Sequence, residues 1–314
     1  MSKDIEMYKD LIARQVRRGE ISKSCGGKWQ KSYAWPNEDE KEILKLIDFK
    51  RIRRVLTVLS SGDYLYSLIS KGIINVDTFD ISPITEYYSL GLKRSVIETI
   101  PDCGEFKRYL GSLIYSDNAR YVGREIESLL SRMIEKYQLF WSEMIKFNFD
   151  LQKRNSRQLP LLPMLLNTEK CFPNRCGYLN SQADYDRVRI YLKGLIIKHY
   201  NINILDVNKP LEPGVLYNLI IMSNILDYLC EKKSLSTDKI VTYSDFKEVE
   251  KRLFNLLCDQ GMIVNTITGS NSALFSQSRV CASQLQSNER LYDISNSRSY
   301  DHDRCLILTK TKKK

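Results

Sequence analysis

Arg54-Val-Leu-Thr-Val-Leu-Ser-Ser-Gly-Asp63 is the stretch on which the fold turns. Val55–Leu59 is a compact β-branched and apolar run, the pattern of a strand buried on both faces. Ser60-Ser61-Gly62-Asp63 breaks it with turn residues. Tyr64–Lys71 then reads as a helix, closed by Gly72 as its C-cap. Asn75–Phe79 reads as a second strand ending at Asp80, and Pro83 stands where a first-turn proline belongs, opening a helix to about Ile100. Strand, helix, strand, helix predicts a parallel sheet with crossover helices.

Downstream, the alternation is interrupted between residues 101 and 199. Ile126, Leu129, Leu130, Met133, Ile134, Tyr137, Phe140, Trp141, Met144 and Ile145 recur at steps of three and four, which predicts one long amphipathic helix. Arg154–Gly177 looks irregular, and Asp184–Tyr200 reads as helix again. The sheet pattern resumes with Asn203–Leu205, ending at Asp206, and with the apolar Leu216–Met222, ending at Ser223-Asn224. Asp245-x-x-Glu248 is a capping-box variant opening a helix to about Gln260. Gly261–Ile267, Arg290–Ile294 and Cys305–Thr309 complete the strands, the last two as a closing hairpin. Upstream, Asp4–Arg18 and Glu38–Asp48 read as helices flanking a Gly- and Lys-rich loop at Cys25–Trp29. The expected organisation is one compact unit: an N-terminal helical lid (1–50), a Rossmann-like α/β domain with a mostly parallel seven-stranded sheet (51–100 and 200–314), and a helical insertion (101–199).

The chain has 314 residues, 43% apolar and 27% charged, with only 14 Gly and 8 Pro. That balance excludes a disordered or collagen-like chain. No apolar run reaches the roughly 18 residues of a spanning helix. Met1–Asp4 is charged and leads into an amphipathic segment, so no secretory signal is expected. The eight cysteines (Cys25, Cys103, Cys171, Cys176, Cys230, Cys258, Cys281, Cys305) include no Cys-x-x-Cys pair, and His199 and His302 are the only histidines. Paired zinc spacings are therefore missing, Cys171-x4-Cys176 being the nearest approach. No metal is expected, and reduced thiols suit a cytoplasmic protein. Net charge is 48 − 38 = +10, concentrated in Lys310-Thr-Lys-Lys-Lys314 and Lys50-Arg-Ile-Arg-Arg54. The excess is compatible with RNA, an anionic lipid surface or an acidic substrate, and equally with solubility alone. RNA is not the favoured partner, and nothing reads out an oligomeric state.

In an open parallel sheet, ligands bind beyond the carboxyl ends of the strands, where the strand order reverses. Ser60–Asp63, Asp80–Ser82, Asp206 and Ser223–Asp227 occupy those positions. The turn after the first strand carries only Gly62, so neither the G-x-G-x-x-G dinucleotide fingerprint nor a P-loop is present. Pyrophosphate and triphosphate ligands are disfavoured; a carboxylate on exposed backbone N–H groups is not. Asp80 lies 18 residues beyond Gly62, close to the spacing at which an acid accepts a ribose diol. Asp206 is placed to accept from an exocyclic amine. A nucleoside carrying a carboxylate answers all three, and S-adenosylmethionine (SAM) is such a molecule. Each residue also has a plain reading: Gly62 as an ordinary turn glycine, Asp80 as the N-cap of the Pro83 helix, Asp206 as a solvated acid. Tyr33 and Trp35 read either as a lid or as core. The Ile126–Ile145 stripe reads as packing, and the two histidines as structural.

Val55–Asp63, Phe79-Asp-Ile-Ser-Pro83, Leu92-Lys93 and Ser223-Asn-Ile-Leu-Asp-Tyr-Leu229 resemble the SAM:diacylglycerol 3-amino-3-carboxypropyltransferases of betaine-lipid synthesis and their uncharacterised relatives, within the class I SAM-dependent methyltransferase superfamily. The family pattern is S-A-G-D-N, then V-D-x-N-P-x-Q, then S-N-I-L-D-Y, and the resemblance covers about residues 30–100 and 185–265. Ser61, Tyr64, Ser82 and Thr85 depart from it, and Trp35-Pro-Asn-Glu-Asp39 only echoes the upstream W-E-D-P. No basic amphipathic helix marks the chain as acting on lipid. The resemblance implies a Rossmann-like SAM-binding fold. It implies that Ser60, Ser61, Gly62 and Asp63 meet the amino-acid end of SAM, Asp80 the ribose and Asp206 the adenine amine, with Ile81, Ser82 and Val207 also in the cofactor site. Ser223 and Asn224 would line the floor. The implied reaction is displacement at a carbon of the sulfonium, as 3-amino-3-carboxypropyl transfer to a small-molecule or lipid-like acceptor, with methyl transfer as the alternative. A non-catalytic Rossmann-like binding protein is a further one. Asp227 and Tyr228 are the candidate bases.

Overall fold

The computed structural model describes residues 3–18, 32–36, 38–155, 159–168, 173–203, 211–212, 214–223, 251–267, 287–293 and 304–310. Its contacts gather into two units. A helical unit comprises Met1–Asn37, Leu59–Asp63 and Ser82–Gly194, and a sheet unit comprises Glu38–Val58, Tyr64–Ile81 and Leu195–Lys314.

The sheet unit holds β1 (Val55–Val58), β2 (Val76–Asp80), β3 (Lys198–Asn201), β4 (Tyr217–Ser223), β5 (Leu257–Ile267), β6 (Ser287–Asp293) and β7 (Arg304–Lys310). They pair in the order β3-β2-β1-β4-β5-β7-β6. β3 through β5 run parallel, with Val55 opposite both Val76 and Leu219. β7 is antiparallel to both β5 and β6, so the expected mostly parallel α/β sheet with an antiparallel closing pair is what forms. All four residues of β1 are buried, which is why this run is apolar but for Thr57 and does not alternate with exposed polar residues. Leu56, Phe79, Tyr217, Ile220, Ile263 and Leu308 form the centre of the core.

At the amino-terminal end of this sheet, Asp77 Oδ2 accepts from Arg54 Nη2 (2.8 Å), Arg54 Nε (3.1 Å) and the Tyr217 hydroxyl (2.8 Å). The guanidinium also lies 5.7 Å over the Tyr217 ring. One buried carboxylate thus ties together three neighbouring strands, β2, β4 and, through Arg54 just before it, β1.

The helical unit contains helices Lys3–Arg18, Cys103–Ile114, Ala119–Leu129, Glu135–Asn155 and Gln182–Leu192, with side-chain N-caps at Asp102, Asn118 and Ser181. Tyr87, Phe140, Tyr8 and Trp141 pack as one aromatic cluster. Tyr87 and Phe140 stack at 3.9 Å, and Trp141 Nε1 donates to the Tyr87 carbonyl at 3.1 Å. Pro83–Glu86 is α-helical, Tyr87–Lys93 widens into a π-helix, and Arg94–Thr99 returns to α. Gly91 sits in the wide turn because a Cβ there would meet Tyr137 at 3.1 Å.

Three expectations change. The helix expected to run to about Gln260 ends before Leu257, where β5 begins, four residues ahead of the expected Gly261. The stripe from Ile126 to Ile145 is two helices, not one. A 3₁₀ turn at Leu130–Arg132 and the extended Met133 (ψ 154°) separate them, and Ile134 is 61% exposed. No Gly or Pro marks the break; burying Leu129 and Met133 on either side of the bend keeps the apolar spacing intact while the chain changes direction. Likewise, the second helix ends at Leu192, where Lys193 turns to ψ 110°. Lys198–Asn201 forms strand β3 instead, beside β2. It is an edge strand with half-exposed side chains, so it lacks the apolar signature of its neighbours. The strand expected at Asn203–Leu205 therefore lies earlier in the chain, and residues 204–210 are outside the described ones.

Candidate functional site

Within the sheet unit, β2 and β3 lie on one side of β1 and β4 on the other. The order reverses between β1 and β4, and the carboxyl ends there are the ligand-binding edge of such a sheet. Asp80 and Ile81 stand at the end of β2 and are half-buried. The N-cap of the Pro83 helix is Ser82, so Asp80 does not serve as that cap. Ser223 ends β4 with φ 54°, a left-handed backbone that a non-glycine residue holds only when its surroundings enforce it.

Glu38 supplies that enforcement. Its carboxylate is 1% exposed. It accepts from the Ser223 hydroxyl, from Tyr64 Oη at 2.9 Å and from Thr266 Oγ1 at 2.6 Å. Three hydroxyl donors thus converge on one buried carboxylate. Burial first, then the Glu38 charge, push the Tyr64 phenol well above its ordinary range. The same two causes lift the Cys305 thiol to about 12. Because the unfolded chain releases the thiol proton near 9 and the folded chain holds it to about 12, stability falls as pH rises through that window. Cys305→Ala is expected to flatten the corresponding stretch of a plot of unfolding free energy against pH. An unchanged slope between pH 9 and 11 would contradict the assignment.

In the helical unit, Ser60–Asp63 forms the turn that follows β1. Ser60 has φ 45° and Gly62 φ 82°. Gly62 N donates to the Leu59 carbonyl at 2.6 Å, a tight turn that glycine alone enters without strain. The Ser60 carbonyl accepts from Ser32 Oγ (3.1 Å) and Ser89 Oγ (3.0 Å). The Ser61 carbonyl accepts from Lys93 Nζ at 3.0 Å. Lys93 is fully buried, 2.6 Å from Asp63 Oδ1 and 4.6 Å over the Trp35 ring. Cys176 Sγ also donates to Asp63 Oδ1, at 3.3 Å. Trp35, open between lid and core in the sequence, is 1% exposed core. Ser82 is buried in the same unit, and its carbonyl accepts from Thr85 N at 3.1 Å and Thr85 Oγ1 at 2.6 Å.

The structure thus gathers Ser60, Ser61, Gly62 and Asp63 around Lys93, and places Asp80, Ile81 and Ser223 on the carboxyl edge of the sheet. Asp206, Val207, Asn224, Asp227 and Tyr228 lie outside the described residues. Sequence reasoning assigned no role to Glu38, Lys93 or Cys176. Lys93 and Glu38 fell inside or beside quoted motifs, but nothing in their neighbours distinguishes a buried charge from a solvated one. Among the described residues, no group of three His, Cys, Asp or Glu side chains is arranged to hold a metal ion. Nor is any helix there long and apolar enough to cross a membrane.

No protein-family model matches the chain, and no curated protein matches it. Among solved structures it is similar to the N-methyltransferase NodS from Bradyrhizobium japonicum WM9 in complex with S-adenosyl-l-homocysteine. Identity is 10%, coverage 88% of this chain and 89% of that one, and TM-score 0.41. It is also similar to the rRNA methyltransferase aviRa from Streptomyces viridochromogenes (10% identity, 91% of each chain, TM-score 0.42). A third likeness is to the [4+2]-cyclase SpnF (8% identity, 98% of this chain and 94% of that one, TM-score 0.41). In every case the likeness is distant.

Proposed function

We propose that this chain is a SAM-dependent transferase. The observation that carries the reading is Asp80: a carboxylate at the end of β2, beside the strand-order reversal. A carboxylate there suits a ribose diol. The left-handed turn at Ser60 and Gly62 fits the amino-acid end, because the Ser60 and Ser61 carbonyls are engaged by Ser32, Ser89 and Lys93. What the turn has left for a ligand is its backbone N–H groups other than that of Gly62, which the Leu59 carbonyl takes. The sequence resemblance assigns the adenine amine to Asp206 and the floor to Ser223 and Asn224.

When bound, SAM supplies a sulfonium leaving group; the protein supplies in-line placement of the acceptor. The acceptor's lone pair forms the new bond to carbon as the C–S bond breaks toward sulfur. Attack at the γ-carbon of the methionine moiety transfers the 3-amino-3-carboxypropyl group, the reaction the resemblance favours, to a small-molecule or lipid-like acceptor. A hydroxyl acceptor needs a base, for which Asp227 or Tyr228 is assigned. The protein is read as cytoplasmic.

Isothermal titration tests the cofactor. SAM and S-adenosylhomocysteine should both bind, and Asp80→Ala should weaken them by roughly 10- to 100-fold, the worth of one or two hydrogen bonds to a charged group. No heat with either ligand, or an Asp80→Ala variant that binds as wild type, overturns the reading. Product analysis then separates the chemistries: 5′-methylthioadenosine reports aminocarboxypropyl transfer, and S-adenosylhomocysteine reports methyl transfer. Tight binding with neither product would identify a non-catalytic binding protein.

A further inference from the structure

Four neighbouring strands of the sheet unit, in the order β3-β2-β1-β4, run parallel, so their amino-terminal ends form one rim. The residues leading into three of them are aliphatic and face water. Ile196 before β3 is 89% exposed, and Ile74 before β2 and Leu216 before β4 are about half exposed. The residues leading into β1 are cationic: Lys50, Arg51 and Arg53 are all exposed. The register, with Val55 opposite both Val76 and Leu219 and Asp77 opposite Lys198, brings these lead-in segments to nearly one level. With neighbouring strands about 4.8 Å apart, the three aliphatic side chains and the three cations share a band roughly 15 Å across. One exposed aliphatic residue is ordinary; three on one rim among cations mark a contact surface.

The cations are fixed in place without being neutralised. Asp48 caps the Phe49–Arg51 turn by accepting from Lys50 N at 3.1 Å, and Ile52 anchors the segment in the core. Asn218 Oδ1 on β4 accepts from Arg53 N at 2.9 Å and from Arg54 N at 3.0 Å, which ties the basic segment to the strand that Leu216 precedes. Arg53 Nη1 donates to the Lys50 and Ile52 carbonyls at 3.1 and 3.3 Å; these bonds hold the guanidinium and leave its charge uncompensated. Nearby acids are engaged elsewhere, Asp77 by Arg54 and Tyr217 and Glu212 by Lys198 and Arg54. Among the described residues, Lys50, Arg51 and Arg53 form no ion pair.

A cationic rim that also carries aliphatic side chains matches an anionic bilayer, whose headgroups take up Lys and Arg while its acyl boundary takes up apolar groups. Nucleic acid would use the cations and gain nothing from isoleucine and leucine, since single strands are gripped by stacking on aromatic rings. Among the described residues, the exposed large aromatics, Tyr115 and Tyr191, belong to the helical unit. The geometry points to the amino-terminal rim of the sheet as a docking surface for an anionic membrane, with Ile74, Ile196 and Leu216 entering the interface and Lys50, Arg51 and Arg53 meeting the headgroups. Lead-in segments of separate strands supply both signals, so no amphipathic helix is needed. Asp80 and Ser223 stand at the opposite ends of these strands. The docking surface is therefore not the acceptor's entrance, and the inference is independent of the SAM reading.

The test is co-sedimentation of the full chain with vesicles of phosphatidylcholine alone and of phosphatidylcholine with about 30% phosphatidylserine. Binding should be at least roughly 10-fold tighter on the anionic vesicles and should weaken steeply between about 0.1 and 0.5 M salt. The triple variant Lys50→Gln, Arg51→Gln, Arg53→Gln should bind about 100-fold more weakly, at roughly fivefold for each cation removed. Arg124→Gln, Lys146→Gln, Lys153→Gln removes three exposed cations of the helical unit and should bind as wild type. Ile74→Ser, Ile196→Ser, Leu216→Ser should weaken binding at least about 10-fold at either salt concentration. All these side chains are exposed, so each variant should keep the wild-type midpoint in urea. No binding to anionic vesicles overturns the inference. So does an equal loss in the two cation triples, which would report net charge alone, or an aliphatic triple that binds as wild type. Retention of a single-stranded RNA oligonucleotide but not of vesicles would assign the rim to nucleic acid. A wild-type dimer that the aliphatic triple turns into a monomer would assign it to a second copy of the chain. Either of these results overturns the inference as well.

Discussion

Glu38→Ala is expected to lower the unfolding free energy by roughly 3–5 kcal/mol, measured by urea unfolding. The side chain is buried, and its two oxygens accept from Ser223, Tyr64 and Thr266. Removing it leaves three hydroxyls in the interior without their acceptor. An orphaned buried donor costs about 1–3 kcal/mol, and the vacated volume adds a cavity cost. Glu38→Gln keeps the volume and one acceptor oxygen, so it should cost about 1–2 kcal/mol. The order Ala worse than Gln is the diagnostic feature, and equal losses would mean that the carboxylate is filling space without acting as an acceptor. The loss should also reach the proposed site, because Ser223 keeps its left-handed backbone next to this anchor. Glu38→Ala protein that is still folded in the absence of urea should bind S-adenosylhomocysteine more weakly than wild type.

Asp77→Ala is expected to cost roughly 2–4 kcal/mol by the same measurement. Asp77 is 5% exposed and is the shared acceptor for Arg54 and Tyr217. The value sits below that of a fully buried pair because Arg54 is 32% exposed and keeps Glu212 at 3.4 Å. The Tyr217 hydroxyl has no such recourse. Replacing Arg54 as well, with Met, removes the stranded cation. The double variant should therefore lose less than the sum of the two single losses. Strict additivity would show that the three groups do not act as a unit. Both single variants should leave S-adenosylhomocysteine affinity nearly unchanged in the folded protein, since Asp77 and Arg54 lie at the amino-terminal end of the sheet. That contrast with Glu38 separates the two ends of the strands by function.

The elements legible in the sequence were those whose burial is uniform. β1 and β4 are largely covered on both faces, so they are apolar but for Thr57, Asn218 and the terminal Ser223, and their shortness and flanking turn residues separate them from a buried helix. The turn at Ser60–Asp63 was legible because serine, glycine and aspartate together disfavour regular structure. β3 was not legible, because an edge strand with half-exposed side chains looks like the end of the helix before it. The bend at Leu130–Met133 was hidden for the opposite reason: both helices bury the same kind of residue, and periodicity does not register a change of direction between them.

The candidate site divides in the same way. Asp80 and Ser223 could be named in advance because strand ends are one-dimensional information: a polar residue closing an apolar run marks the edge of a sheet. Glu38, Lys93 and Cys176 could not, since their meaning comes from partners distant in sequence. Glu38 meets Ser223 and Thr266, and Lys93 meets Asp63 and Trp35. The local sequence of this protein determines which segments become strands and where the polar turns fall, because backbone geometry and apolar spacing act over a few residues. Tertiary structure alone decides which charges are taken out of water and which hydroxyls and carbonyls compensate them. The energy of a buried charge depends on its nearest neighbours in space, and here those neighbours come from chain segments tens to hundreds of residues apart.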